Sequence, residues 1–143
     1  MNSETQGNRM QIISRHLETI KQGIARDDRI VFAYLYGSAL EDTGARDIDI
    51  ALYARDGVDP FLLSADTALG LSTDTGIPPD DFDIRVINDV VEHGDVLGLL
   101  YLRTVFQQGM LLHDKDPDLR GDVLERFGYR YRECEGLIQE VLA

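Results

Sequence analysis

From Val31 to Tyr36 every residue is apolar or aromatic, and the run stops at Gly37-Ser38. An unbroken apolar run that ends in such a pair reads as a buried strand entering a tight turn, and a buried strand commits the chain to a sheet with a core packed on it. The chain becomes strand-like again from Ile48 to Tyr53, where Ile48, Ile50 and Leu52 alternate with Asp47, Asp49, Ala51 and Tyr53. Alternation sends the two sets to opposite faces. The stretch between these strands, Ala39 to Arg46, has room for one helical turn and a loop, and Asp56-Gly57 marks a turn. A third strand is expected from Phe82 to Ile87, with Phe82, Ile84 and Val86 opposite Asp83, Arg85 and Ile87. Met110 to His113 fits a short edge strand ahead of Asp116-Pro117.

Helical periods fill most of the remainder. Ile12, Ile13, Leu17, Ile20 and Ile24 form one stripe over residues 10 to 26. Phe61, Leu62, Ala65, Leu69 and Leu71 predict a helix from Pro60 to about Thr75, with Asp59 as N-cap and Gly76 and the prolines behind it as the stop. A further helix is expected from Val96 to Gln108, ended by Gly109. Leu119, Val123, Phe127, Tyr131, Cys134, Ile138 and Val141 predict one long amphipathic helix, although Gly121, Gly128 and Gly136 each weaken it by roughly 1 kcal/mol relative to Ala. The fold class is therefore α/β (α+β), with a small mixed, mainly antiparallel sheet, helices on one face and the acidic positions on its open side. The first nine residues are expected to be disordered, and residues 10–143 to form one domain.

Composition narrows the function classes. There are 26 acidic against 14 basic side chains, a formal charge of −12. Such a field repels polyanions, so nucleic acid is excluded as a partner, whereas divalent metals and a basic protein suit it. No apolar run of about 18 residues exists to span a bilayer, and the polar start has no signal-peptide pattern. A cytoplasmic protein without membrane contact is expected. The single cysteine, Cys134, cannot form an internal disulfide and is expected in the core or on a helix face. His16, His93 and His113 have no metal-ligand spacing. Asp95, Asp114, Asp116 and Asp118 do not fit the register of a calcium loop.

Three features carry chemistry when taken in order: Gly37-Ser38 after the first strand, Asp47-Ile48-Asp49 at the start of the second, and Asp83 in the third. The aspartates of an Asp-x-Asp triplet on a strand leave the same face about 7 Å apart by Cα. If the third strand is adjacent, Asp83 adds another carboxylate, the minimum set for two divalent ions about 3.5 to 4 Å apart. Gly37 lets the backbone approach a phosphate, and the Ser38 hydroxyl with free N–H groups can hold its oxygens.

The stretch from Tyr34-Leu35-Tyr36-Gly37-Ser38 through Asp47-Ile48-Asp49 to Tyr53 resembles the signature of the minimal nucleotidyltransferases of the DNA polymerase β superfamily. Phe82 to Ile87 is similar to that family's later strand with the third carboxylate, and the likeness runs from about Val31 to Asp116. The resemblance implies the polymerase β-like fold, Gly37 and Ser38 on the nucleotide phosphates, Asp47 and Asp49 on both of two Mg2+ ions, and Asp83 on the catalytic one. It implies transfer of AMP from ATP to a protein hydroxyl, with a HEPN-domain ribonuclease toxin as the partner that this antitoxin type neutralises. The chain departs from the family between Gly37-Ser38 and Asp47, where the spacer is shorter and contains Glu41 and Asp42, with Arg46 before Asp47. Acids beside a triphosphate repel it. Arg46 and Arg85 can offset that charge or pair with the aspartates. Two alternatives follow: a non-catalytic antitoxin that acts by binding its partner, and transfer to a small molecule.

Overall fold

The computed structural model describes residues 2–37 and 47–143, with side chains from residue 14 onward in those segments. The expected turn and loop of 39–46, together with Ser38, lie outside the described residues. Helix α1 (Asn2–Ala25) leads to strand β1 (Ile30–Tyr36) and, past the undescribed segment, to β2 (Ile48–Ala54). Helix α2 (Pro60–Thr75) crosses to β3 (Phe82–Val86). Then come α3 (Asn88–His93), α4 (Val96–Arg103) with a π-helical turn over Thr104–Gln108, the strand β4 (Met110–Asp114), and helices α5 (Pro117–Glu133) and α6 (Glu135–Leu142).

The sheet order is β3-β2-β1-β4. β1 is antiparallel to both β2 and β4, while β2 and β3 run parallel, the α2 crossover supplying the reversal that a parallel pair requires. The sheet is therefore mixed and mainly antiparallel, as expected. It does not have an open face. Ile20 and Ile24 of α1 and Leu63 and Leu71 of α2 pack with Ile30, Ala33, Leu35, Ile50 and Leu52 on one side. Val91 of α3, Leu99 and Leu102 of α4, Val123 and Phe127 of α5, and Ile138 of α6 pack with Phe32, Tyr34, Tyr36, Ala51 and Tyr53 on the other. The helices expected on one face occupy both, because all seven residues of β1 are buried and such a strand has no side left for water.

A bulge between Ile30 and Phe32 opposite β2 lets neighbouring Val31 and Phe32 both enter the second core, and the Phe32 ring stacks on Tyr53 at 5.0 Å. Asp59 caps α2 as its sequence implies, accepting from the N–H of Phe61 and Leu62. The α3 turn, too short to show a period, is tied to β2 by Asn88, whose amide bonds the N–H and the carbonyl of Ala54 at 2.8 Å each. The single helix expected over 119–141 is broken at Cys134, which leaves helical dihedrals at φ −99°, ψ 7°. Past the break, Ile138 of α6 is buried in the second core. Cys134 is half-buried against that core, as expected. The expected Val96–Gln108 helix is α4 plus the wider π turn, followed by Gly109. No described helix is long and apolar enough to cross a membrane.

Candidate active site

Parallel pairing places Asp49 of β2 beside Asp83 of β3, and antiparallel pairing places Tyr36 of β1 on the other side of Asp49. The row Tyr36, Asp49, Asp83 thus runs across three adjacent strands at the end of β1. Alternation gives all three side chains the face that carries α4. Tyr101 of α4 meets them there: its hydroxyl lies 2.9 Å from that of Tyr36, and the two rings meet edge to face at 5.6 Å. Arg85, two residues beyond Asp83 and hence on the same face, sits 5.6 Å over the Tyr101 ring and 3.4 Å from the Asp83 carboxylate. With Arg85 58% and Asp83 39% exposed, this ion pair adds little stability.

Gly37 follows Tyr36 with φ +77°, a conformation that an L side chain resists. A Cβ there would also collide with the Asp49 carboxylate. The glycine therefore serves two needs at once, the left-handed turn out of β1 and space for an acid against the backbone.

Burial first, and then the charge of Asp83 and hydrogen bonding with it, push the Asp49 carboxyl up to about 6, with Asp47 adding to the effect and Arg85 opposing it. The Tyr36 and Tyr101 hydroxyls are raised chiefly by burial. The Arg85 guanidinium is raised by its hydrogen bond to Asp83. Two carboxylates brought side by side in partial burial repel each other, and a hard divalent cation would relieve that repulsion through oxygen ligands alone. Asp49 and Asp83 offer two of the oxygen ligands that such an ion takes.

Of the residues singled out from the sequence, the fold brings together Gly37, Asp49 and Asp83. Asp47 precedes β2 and is exposed, and its charge is felt at Asp49. Among the described residues, no three carboxylate, histidine or cysteine side chains converge on one point. Tyr36 belongs to the sequence signature without a role of its own there, and Tyr101 does not belong to it. Tyr36 has the right strand phase beside Gly37 to have been noticed, whereas nothing in α4 marks Tyr101. Other aspartates prove structural: Asp95 caps α4, Asp116 caps α5 and Asp114 holds Arg120 at 2.6 Å.

The family model described as Polymerase beta, Nucleotidyltransferase matches residues 18–118, a span that holds all of these site residues. The chain belongs to the polymerase β nucleotidyltransferase family. Among solved structures, it is similar to a mutant of the toxin-antitoxin MntA-HpeT, at 18% identity and TM-score 0.57, over 89% of this chain and 98% of that one. It is also similar to a toxin-antitoxin crystallised with AMP-PNP, at 22% identity and TM-score 0.56, over 88% and 98% of the two chains. At such identities the likeness is one of fold. No curated protein matches the chain. For this nucleotidyltransferase fold, the row Tyr36, Asp49, Asp83 and the Gly37 turn mark one end of the central strands as the candidate site.

Proposed function

We propose that this nucleotidyltransferase transfers AMP from ATP to a hydroxyl of a partner protein, a HEPN-domain toxin that it thereby neutralises. The observation that carries the reading is the facing pair Asp49 and Asp83 beside the left-handed turn at Gly37, in a chain of the polymerase β family. The fold likeness to toxin-antitoxin structures, one of them holding an ATP analogue, supports the choice of partner and nucleotide.

Asp47, Asp49 and Asp83 would hold Mg2+, with two ions in the full site. Bound there, the metal supplies charge neutralisation at the phosphates and a more acidic hydroxyl. By family likeness Gly37 and Ser38 would meet the nucleotide phosphates, the left-handed turn at Gly37 keeping the Asp49 carboxylate close against the backbone there. Burial of Tyr36 and Tyr101 keeps that wall of the site dry and uncharged. In the transfer the acceptor oxygen bonds to the α-phosphorus as the bond to the bridging oxygen breaks. Pyrophosphate leaves, and the hydroxyl proton passes to a carboxylate of the pair.

The test combines binding with label transfer. ATP with magnesium at a hundred times its Kd should stabilise the fold by about 2.7 kcal/mol, and changing Asp47 and Asp49 together to Asn should remove the effect. Label from α-phosphate-labelled ATP should then appear on the protein encoded by the neighbouring gene. A melt unmoved by millimolar nucleotide would instead favour the second reading, a non-catalytic antitoxin that acts by binding. The short spacer with Glu41 and Asp42 speaks for that alternative.

A further inference from the structure

Strand β3 is an edge strand, and among the described residues no strand pairs with its outer side. Its inner side is spoken for: the Ile87 N–H donates to the Leu52 carbonyl at 2.9 Å. In a parallel pair a residue turns both backbone groups toward the same neighbour, and the next residue turns both away. Arg85 and Ile87 therefore face β2, and Ile84 and Val86 direct N–H and C=O outward. Buried edges of this kind are normally covered, and exposed ones invite pairing.

Beside this edge runs a groove of about 710 Å³, lined by Val58, Pro60 and Phe61 from the start of α2 and by Ile84, Arg85 and Val86 of β3. Phe61 is 85% exposed, the most exposed large apolar side chain among the described residues. Its place on the first turn of α2 is held by the Asp59 cap, so the ring is presented on a fixed element instead of a loose loop. Arg85 links the groove to the candidate active site, since it lines the groove and also contacts Asp83 and the Tyr101 ring.

We infer that the free edge of β3 and the Phe61 groove dock an extended segment of the partner protein, which adds to the sheet as a fifth strand and carries the acceptor hydroxyl to Asp83. This deepens the proposed transfer activity and rests on it for the identity of the acceptor. A strand added about 4.8 Å from β3 repeats its alternation. A residue opposite Asp83 then shares the face of the carboxylates, which is the place for a Tyr, Ser or Thr hydroxyl. A residue opposite Arg85 lies on that face too, where an acid would pair with the guanidinium. Residues opposite Ile84 and Val86 turn to the other face, where apolar side chains meet the Phe61 groove. A second copy of this chain is a poor occupant, since the formal charge of −12 makes like chains repel.

The docking can be tested apart from the chemistry. The probe is a blocked synthetic peptide, Lys-Val-Tyr-Val-Thr-Val-Lys, titrated into the 15N-labelled protein. The expected result is that the largest amide shifts and slowed exchange fall at Ile84 and Val86. N-methylation of alternate peptide bonds should abolish them, and Phe61→Asp should weaken binding at least ten-fold. Phe61→Asp should keep the wild-type melt and its ATP-magnesium shift, which shows that the variant is folded. No binding at millimolar peptide, shifts centred elsewhere, equal binding by the N-methylated peptide, or self-association through β3 would each overturn the inference. Docking at β3 without any label transfer supports this inference while the proposed activity fails. Transfer to a partner that Phe61→Asp leaves at the wild-type rate sinks the docking and leaves the activity standing.

Discussion

The two ends of β1 handle acidic side chains in opposite ways. Before its start, Asp27 is held by Arg29 through three hydrogen bonds, from the backbone N–H and Nε at 3.0 Å each and from a terminal nitrogen at 2.8 Å. The same guanidinium reaches Asp66 of α2 at 3.0 Å, and Lys115 donates to the Asp27 carbonyl. At its far end Asp49 faces Asp83, and among the described residues the cation in contact is Arg85, which is exposed and spends part of its charge on the Tyr101 ring. Arg29 holds the Asp27 carboxyl below its ordinary value, whereas burial and Asp83 push Asp49 up to about 6. Among the described residues, the structural acid Asp27 has a guanidinium bonded directly to it, whereas the facing pair Asp49 and Asp83 shares one exposed guanidinium, the kind of environment that shifts a carboxyl at a functional site.

The largest way to break this comparison is at Asp83. In Asp83→Asn the side chain keeps its shape and loses its charge, so nucleotide binding should change by a few-fold at most. Transfer of label should fall by at least about a hundred-fold, or about 2.7 kcal/mol of transition-state stabilisation. Calorimetry beside the label assay separates the two, and an unchanged rate would remove Asp83 from the catalytic set.

Next in size is Gly37→Ala. Both the positive φ and the collision with Asp49 oppose it, so chemical denaturation should show a loss of about 1 to 3 kcal/mol. The double change with Asp49→Ala should recover part of that loss, since only the φ strain remains. A variant as stable as the wild type would mean that the turn is not built as described.

A smaller effect is expected at the other end of the strand. Asp27→Asn should cost about 1 kcal/mol at neutral pH, the net worth of its bonds to Arg29. Because the folded carboxyl titrates below its ordinary value, that stability is present above about pH 4 and is lost as pH falls through the folded value. The gap between wild type and variant in urea melts should therefore close on acidification.

The smallest effect has the opposite sign. Asp49 binds its proton more tightly folded than unfolded, so between its ordinary value of 3.8 and about 6 the wild type loses stability as pH rises. Without metal, Asp49→Asn should melt slightly higher than wild type at pH 7, with the advantage fading toward pH 4. Added magnesium should reverse the order by stabilising only the wild type. If the variant melts lower than wild type in chelator at pH 7, the two acids are not in unrelieved repulsion.

Much of the site was legible because its signals are local. The apolar run to Tyr36, the glycine behind it and the phase of Asp49 against Ile48 and Ile50 can all be read along one stretch of chain. Strand phase also put Asp83 and Arg85 on one face. What could not be read was which strands would lie side by side. That choice put Asp83 opposite Asp49 and left β3 at the edge of the sheet among the described residues, and it depends on how α2 packs across the sheet. Tyr101 shows the same limit, since only the seating of α4 brings its hydroxyl to Tyr36.

By itself the sequence determined the strands, the helix start at Asp59, the acidic character of the molecule and the candidate carboxylates for a metal. Periodicity, capping and charge act over a few residues, so they survive without knowledge of the rest. Tertiary structure alone decided that helices cover both faces, that a bulge turns Val31 and Phe32 into one core, that the last helix breaks at Cys134, and that Asp49 and Asp83 become neighbours. Those outcomes turn on filling volume and pairing edges between segments far apart in the chain, where packing energy outweighs local preference.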